Sequence, residues 1–333
     1  VGLKLSAKGN NEPQTLARLE HPFIVRVFDV RTLGAGKPHL LYMEYVPGGT
    51  LQQAIQNLRQ YPRQAWSGRL LLEILDEVLK QRHESPPRDS LNRRLLENAG
   101  WGETVCILGS HLALALDYAQ QRGVLHRDVK PANILLSRAA FPKLADFNVS
   151  FGSEVQGATA AAHFGGSMAY MSPEQLAAMH PAMPMQPEDL EGPSDQYALG
   201  IVLWELLAGE RPFPDAPGDS GWLDALEFLR DARHEGVREL PAAAAHDTPP
   251  ALHPTLLRCL ERDPADRFAT PAELSRQLLL CAHADVQRLL WQPISPWLRW
   301  TTHLPLLALF LIAIVPNVVL SGLNIAYNQH AVA

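Results

Sequence analysis

A chain of 333 residues with 47% hydrophobic and 19% charged side chains is long enough to bury one large core or two ordinary ones, which excludes an intrinsically disordered protein. A formal net charge of -6, with basic residues only in short pairs such as Arg93-Arg94, excludes the electrostatic footprint of a nucleic-acid binder. Cys106, Cys259 and Cys281 are far apart in apolar surroundings, which argues against a disulfide framework or a zinc site and for buried structural thiols.

Val1 is not a start methionine and no signal-peptide pattern opens the chain, so a chain cut at its N-terminus is expected. Val1-Gly2-Leu3-Lys4-Leu5 alternates apolar and other residues, as a half-buried strand does. Residues 13–20 suit a short helix, with Leu16 and Leu19 at helical spacing and Pro13 in the first turn. Residues 23–30 and 39–46 read as two strands joined by a turn containing Gly34, Gly36 and Pro38. Pro47-Gly48-Gly49-Thr50 then breaks the pattern, and Thr50 is placed to cap a helix starting at Leu51, so a lobe boundary is drawn there.

Residues 61–102 read as an irregular block and an insertion. Leu71, Ile74, Leu75 and Val78 form one amphipathic face, and Ser85-Pro86-Pro87 interrupts it. Residues 104–121 predict a helix with Val105, Leu108, Leu112, Leu116 and Ala119 along one stripe. Residues 196–208 are apolar nearly all round, the pattern of a helix at the centre of a helical lobe, and helical register continues through Thr255-Leu256-Leu257 and residues 271–280.

Residues 304–326 carry no charge, and Asn317, Ser321 and Asn324 are the only clearly polar positions, so the segment is long enough to cross a hydrocarbon core of about 30 Å. Trp291, Trp297 and Trp300 precede it as an interfacial belt would. Arg288 and Arg299 lie before it and no Lys or Arg follows, which keeps the N-terminal side cytoplasmic. The competing reading is a buried core helix.

The densest chemistry is His126-Arg127-Asp128-Val129-Lys130-Pro131-Ala132-Asn133, followed by apolar Ile134-Leu135-Leu136. An acid, two cations and an amide between apolar flanks answer no packing requirement and read as a catalytic loop. Phosphoryl transfer needs an acid to receive a hydroxyl proton, metal ligands to neutralise phosphates and cations to position them. The stretch resembles, without a break, the catalytic loop of the eukaryotic-like protein kinases.

The resemblance implies Asp128 as the base, Asn133 as a magnesium ligand and Lys130 as the cation beside the transferred phosphate, hence serine or threonine as acceptor. Lys143-Leu144-Ala145-Asp146-Phe147-Asn148 stands where the family has its DFG motif. It makes Asp146 the second metal ligand, packs Phe147 beneath the small-lobe helix and puts Asn148 in place of glycine. Residues 165–174, Gly165 to Glu174, resemble the substrate-docking loop, with Ser167 bonding toward Asp128 and Lys130 and Glu174 pairing with Arg267. Asp195 resembles the family aspartate that holds the catalytic-loop backbone, against the plainer reading of an acid near a helix start. Between Asp146 and Glu174, Ser153 and Thr159 are hydroxyls open to phosphorylation, and Arg127 is the cation to pair with a phosphate there.

In the small lobe the opening strand resembles the lysine strand of the family, making Lys4 the candidate for the α- and β-phosphates, with Lys8 as substitute and Glu12 as its helix partner. The eight positions between Lys4 and Glu12 are short for the family, Pro13 disfavours helical geometry at Glu12, and no Gly-rich loop precedes Lys4. Met43, Glu44 and Val46 correspond to the gate and hinge, with the Glu44 and Val46 backbones facing adenine.

The expected architecture is α+β: a bilobal protein-kinase fold with a small, β-rich, incomplete N-lobe (1–47), a large helical C-lobe (48–282), a juxtamembrane linker (283–303) and a single transmembrane helix (304–326). The expected function is a membrane-anchored serine/threonine protein kinase. It uses ATP and Mg2+, with Asp128, Lys130, Arg127 and Ser167 in catalysis, a protein substrate, and a second copy of the chain as partner for phosphorylation in trans. The kinase domain is expected to be cytoplasmic at the cell membrane. The rival readings are a pseudokinase scaffold and a small-molecule kinase on the same fold; the docking loop argues against the latter.

Overall fold

The alternation at the N-terminus becomes strand β1, Gly2–Ser6, which pairs antiparallel with β3, His39–Met43, in a register that sets Lys4 opposite Leu41. Strand β2, Val27–Thr32, lines the other side of β3 and is bulged between Val27 and Asp29, so the three-stranded sheet has the order β1-β3-β2. The computed structural model describes residues 1–6, 19–32, 39–147, 167–218, 220–245, 247–282, 317–318 and 320–325. Of the helix expected at 13–20, residues 13–18 lie outside them, and residues 19–20 are not helical.

Residues 23–26, expected as strand, are not part of β2. Ile24 forms an isolated parallel bridge to Leu144, and Phe23 packs its ring on His111 and Phe141 at 4.2 and 5.6 Å. Side-chain burial against the large lobe wins over sheet extension there.

Thr50 caps helix α1, Leu51–Leu58, as a full capping box: its hydroxyl accepts from the Gln53 N–H at 3.1 Å and the Gln53 amide oxygen accepts from the Thr50 N–H at 3.1 Å. The block at 61–102 is not irregular. It holds two helices, α2, Gly68–Gln81, and α3, Leu91–Asn98, each opened by a serine cap, Ser67 and Ser90. Leu71, Leu75, Leu79 and Leu96 are buried in the main core. Gly68 is required by the crossing, because a Cβ there would lie 2.0 Å from the Leu96 carbonyl oxygen.

Helix α4, Trp101–Gln120, starts three residues earlier than the sequence pattern suggests, because Glu103 accepts from the Gly100 N–H at 3.0 Å and Asp247 from the Trp101 N–H at 3.1 Å. Its stripe of Val105, Leu108, Leu112, Leu116 and Ala119 is buried. The loop after it leads into the hairpin of β4, Ile134–Leu136, and β5, Pro142–Leu144.

The remaining helices are α5, Pro173–Met179; α6, Pro193–Ala208; α7, Trp222–Glu235; the short α8, Ala242–Ala245; α9, Leu252–Cys259; and α10, Pro271–Ala282. Helix α6 is buried on every side from Ser194 to Leu207; α4 and α9 pack on it, and α10 packs on α4 and α9, to form the core.

The chain divides into two compact units, Val1–His283 and Ala284–Ala333. Of the second, the described residues are helical and carry exposed Val318, Leu320, Leu323 and Ile325. Most of the 304–326 segment lies outside the described residues, and among those described no helix is long and apolar enough to cross a membrane.

Candidate active site

The loop between α4 and β4 is held by one buried carboxylate. Asp195, in the first turn of α6, accepts the His126 N–H on Oδ2 at 2.7 Å and the Arg127 N–H on Oδ1 at 2.8 Å. Arg127 has a φ of 62°, in the left-handed region that a long side chain adopts only when its surroundings impose it. The two Asp195 bonds and a third from Gln175 Nε2 to the Arg127 carbonyl, 3.0 Å, impose it here. Burial pushes the Asp195 carboxyl above its ordinary value, against the pull of the His126 and Arg127 groups.

His126 is fully buried, and burial lowers its pKa, so the ring is neutral. Its Nε2 lies 3.0 Å from the Ala145 carbonyl and its Nδ1 receives the Asp128 N–H at 3.3 Å, so the hydrogen belongs on Nε2. Phe147 lies against this ring at 4.4 Å and is buried in the main core together with Leu19.

Asp128 stands at the centre of a small polar cluster. Lys130 Nζ donates to Asp128 Oδ2 at 2.7 Å and to Ser167 Oγ at 2.6 Å, while Asn133 Nδ2 donates to the Asp128 carbonyl at 2.9 Å and to Oδ2 at 2.8 Å. The Asp128 and Lys130 side chains keep 18% and 21% exposure, enough for an acceptor to reach them.

The Asn133 nitrogen is committed to Asp128, and its amide oxygen has no hydrogen bond among the described residues. The Asn133 carbonyl accepts the Ala145 N–H at 2.8 Å, which sets Asn133 beside the strand end carrying exposed Asp146, whose φ is 61°. An amide oxygen and a carboxylate are hard donors that fit Mg2+, an ion commonly held by one or two protein groups plus substrate phosphates. No cluster of three or more His, Cys, Asp or Glu suited to a metal occurs among the described residues.

Helix α5 anchors the docking segment. Glu174 receives Arg267 Nη1 at 2.6 Å and Nη2 at 3.0 Å, and Ser194 Oγ at 2.8 Å. Arg267, whose side chain is 0% exposed, also donates to the carbonyls of Glu261, Pro193 and Arg262, so the buried guanidinium is saturated. Burial alone would raise the Glu174 pKa, but the hydrogen bonds and charge of Arg267 outweigh it and hold the carboxyl below its ordinary value.

On the opposite side, Val25, Val46 and Ala145 form a small apolar cluster with Met43 and Leu135 against it. The Glu44 N–H donates to the Arg26 carbonyl at 2.8 Å and its carboxylate receives Lys143 Nζ at 2.9 Å. Lys4 lies in β1, but its side chain, together with Lys8, Glu12, Asn148, Ser153 and Thr159, falls outside the described residues.

A family model described as protein kinase domain matches residues 4–279. The chain belongs to the protein kinase domain family. Among similar proteins are the serine/threonine-protein kinase PknB of Mycolicibacterium smegmatis, 30% identical over 275 residues covering 80% of this chain and 35% of that one, and PknB of Mycobacterium leprae, 28% identical over 277 residues with the same coverage. A probable serine/threonine-protein kinase of Streptomyces coelicolor is 29% identical over 279 residues, covering 83% of this chain and 33% of that one. The chain thus spans about a third of the length of the curated relatives it matches.

Within this kinase-family framework the structure brings together Asp128, Lys130, Asn133 and Ser167, with Arg127 and Asp146 in adjoining backbone. Sequence reasoning missed Gln175, which both closes the Ser172 capping box and holds the Arg127 carbonyl. The S-x-x-Q spacing signals the first role, and no local pattern signals the second. It also missed Glu205, which accepts from Tyr170 Oη at 2.6 Å and Arg59 Nη2 at 2.8 Å and so ties the docking segment to the end of α1.

Proposed function

We propose that the chain is the catalytic part of a serine/threonine protein kinase that transfers the γ-phosphoryl group of ATP to a protein hydroxyl. The carrying observation is the Asp128–Lys130–Ser167 cluster: a carboxylate and an ammonium 2.7 Å apart, open to the outside, on a loop pinned from beneath by Asp195. Asp128 orients the acceptor hydroxyl and takes its proton on a carboxylate oxygen. Lys130, held by Ser167, places positive charge where the transferred group gains negative charge. Asn133 and Asp146 would hold Mg2+, which when bound with ATP neutralises the phosphates. Lys4 or Lys8 supplies the phosphate cation, Glu12 its partner, and Met43, Glu44 and Val46 line the base site.

The reading extends to a kinase anchored at the cell membrane through residues 304–326, with the catalytic unit cytoplasmic and a second copy as partner for phosphorylation in trans. Support for the anchor is the uncharged segment itself and the exposed apolar Val318, Leu320, Leu323 and Ile325 within it.

The test is phosphate transfer from labelled ATP to serine, threonine and tyrosine peptides, with an ATP-dependent rise in melting temperature measured with and without magnesium. Wild-type protein should label serine and threonine peptides. Asp128→Asn should lose about 10²–10⁴-fold in turnover at an unchanged melting temperature. Wild-type-like transfer by Asp128→Asn would refute the assignment.

A further inference from the structure

We propose that Arg233 is a positioning residue for the acceptor peptide: from inside α7 its guanidinium holds the backbone of the docking segment, residues 167–174, that begins at Ser167. The inference rests on the kinase reading above and adds to it the group that fixes the acceptor platform.

Arg233 is 4% exposed, and its hydrogen bonds go to carbonyl oxygens. Nη2 donates to Ala169 at 2.9 Å, Nε to Met171 at 3.3 Å, and Nη1 to Leu229, one turn earlier in α7, at 3.3 Å. A buried charge is costly unless it is hydrogen-bonded, and here the bonds bridge two carbonyls two residues apart. The planar fork of a guanidinium spans them; the point charge of an ammonium does not. Burial lowers the Arg233 pKa to about 10, so the group stays charged at neutral pH.

The two carbonyls belong to the turn that leads from Ser167 to the cap of α5. The Tyr170 N–H donates to the Ser167 carbonyl at 2.9 Å and the Met171 N–H to the Met168 carbonyl at 3.2 Å. Beneath the turn, Met168 and Met171 are buried with Leu176, Leu226 and Leu229. Ser167 opens this turn and its Oγ accepts from Lys130 Nζ at 2.6 Å. The placement of Arg233 is thus passed through one closed turn to Lys130 and Asp128.

The far end of the segment is held by a second buried guanidinium, and the two are connected. Arg233 lies over the Phe213 ring at 4.7 Å, Phe213 is nearly parallel to Tyr197 at 6.1 Å and 8°, and Arg267 lies over the Tyr197 ring at 4.8 Å. Arg267 in turn holds Glu174. One row of four buried side chains therefore reaches from the Ala169 carbonyl to the Glu174 carboxylate. An arginine that only filled the core would be replaceable by methionine, whereas one that carries two backbone carbonyls of the docking segment is not.

The test uses the full chain with a serine peptide as acceptor and amide hydrogen exchange as a second readout. Arg233→Met keeps the apolar volume and removes the donors. It should raise the peptide KM about tenfold, the loss expected when hydrogen bonds to a charged group are removed, and leave the KM for ATP within about twofold. Exchange at the Tyr170 and Met171 amides should become faster while that of α6 stays the same. Arg233→Lys keeps the charge without the fork and should fall between wild type and Arg233→Met in both measurements; it answers the same question if the methionine variant does not fold. Unchanged exchange in the segment, a wild-type peptide KM, or peptide and ATP KM values rising together would each overturn the proposal. Absence of transfer by the wild-type protein would instead overturn the kinase reading, and exchange at Tyr170 and Met171 would still decide whether Arg233 holds the segment.

Discussion

The polar cluster around Asp128 and the apolar cluster of Val25, Val46 and Ala145 are built on different principles. Beneath the Asp128 loop the supporting carboxylates are at most 10% exposed and are paired across long stretches of chain: Asp195 with the His126 and Arg127 backbone, Glu174 with Arg267, Glu205 with Tyr170 and Arg59. Around the apolar cluster, where the base site is proposed, the contacts are backbone bonds and apolar packing, and the ion pair of Lys143 with Glu44 stays partly open at 13% and 30% exposure. A buried charge transmits its loss to everything it holds, whereas a backbone contact tolerates changes of side chain.

Substitutions at five positions would break or sharpen that contrast, and the largest effect is expected at the deepest pair. Arg267→Ala strands the Glu174 carboxylate and should cost about 3–5 kcal/mol in urea unfolding. The same pair has a pH signature. Because the Glu174 pKa is lower in the folded protein than its ordinary value of 4.5, its stabilisation is complete above that value and is lost as pH falls below it. Glu174→Gln should therefore flatten the acid limb of the stability curve, and an unaltered limb would show that the pair carries no such linkage.

Asp195→Asn replaces a carboxylate that receives two N–H groups with an amide that has one acceptor oxygen. A loss of roughly 1.5–3 kcal/mol in stability is expected, with turnover falling as Arg127 relaxes from its left-handed conformation. Retained turnover at lowered stability would confine Asp195 to a structural role.

Ser167→Ala removes the Lys130 contact at 2.6 Å and should lower turnover about tenfold, as expected for a hydrogen bond to a charged group, while Ser167→Thr should restore it. Glu44→Ala tests the other side of the contrast. It should cost under about 1 kcal/mol in stability and leave the KM for ATP within about twofold, because the proposed contact to the base is through the Glu44 backbone and the side-chain pair is partly exposed. A large rise in that KM would mean that side-chain charge matters on both sides.

The catalytic loop was readable because its residues are contiguous: His126 through Asn133 keeps order and spacing in the chain, and the structure adds the distances. The cap at Thr50 and the all-round apolar pattern of α6 are equally local and legible in the sequence, while the reciprocal bond from Gln53 is added by the structure. The Arg267 partner of Glu174 came from the resemblance, not from spacing, since nothing across 93 positions marks two charges as partners. Helices α2 and α3 were taken for an irregular block, because the Ser85-Pro86-Pro87 break dominates their local pattern while their burial against the core is a long-range effect.

By itself the sequence determined the chemistry, since an acid, two cations and an amide at set intervals can serve few reactions, and it determined the elements whose periodicity is local. Only the tertiary structure decided how Asp128 is held. Asp195, Gln175 and Ser167 come from 37 to 69 positions away, and they meet the loop because burial of α6 and capping of α5 bring them there.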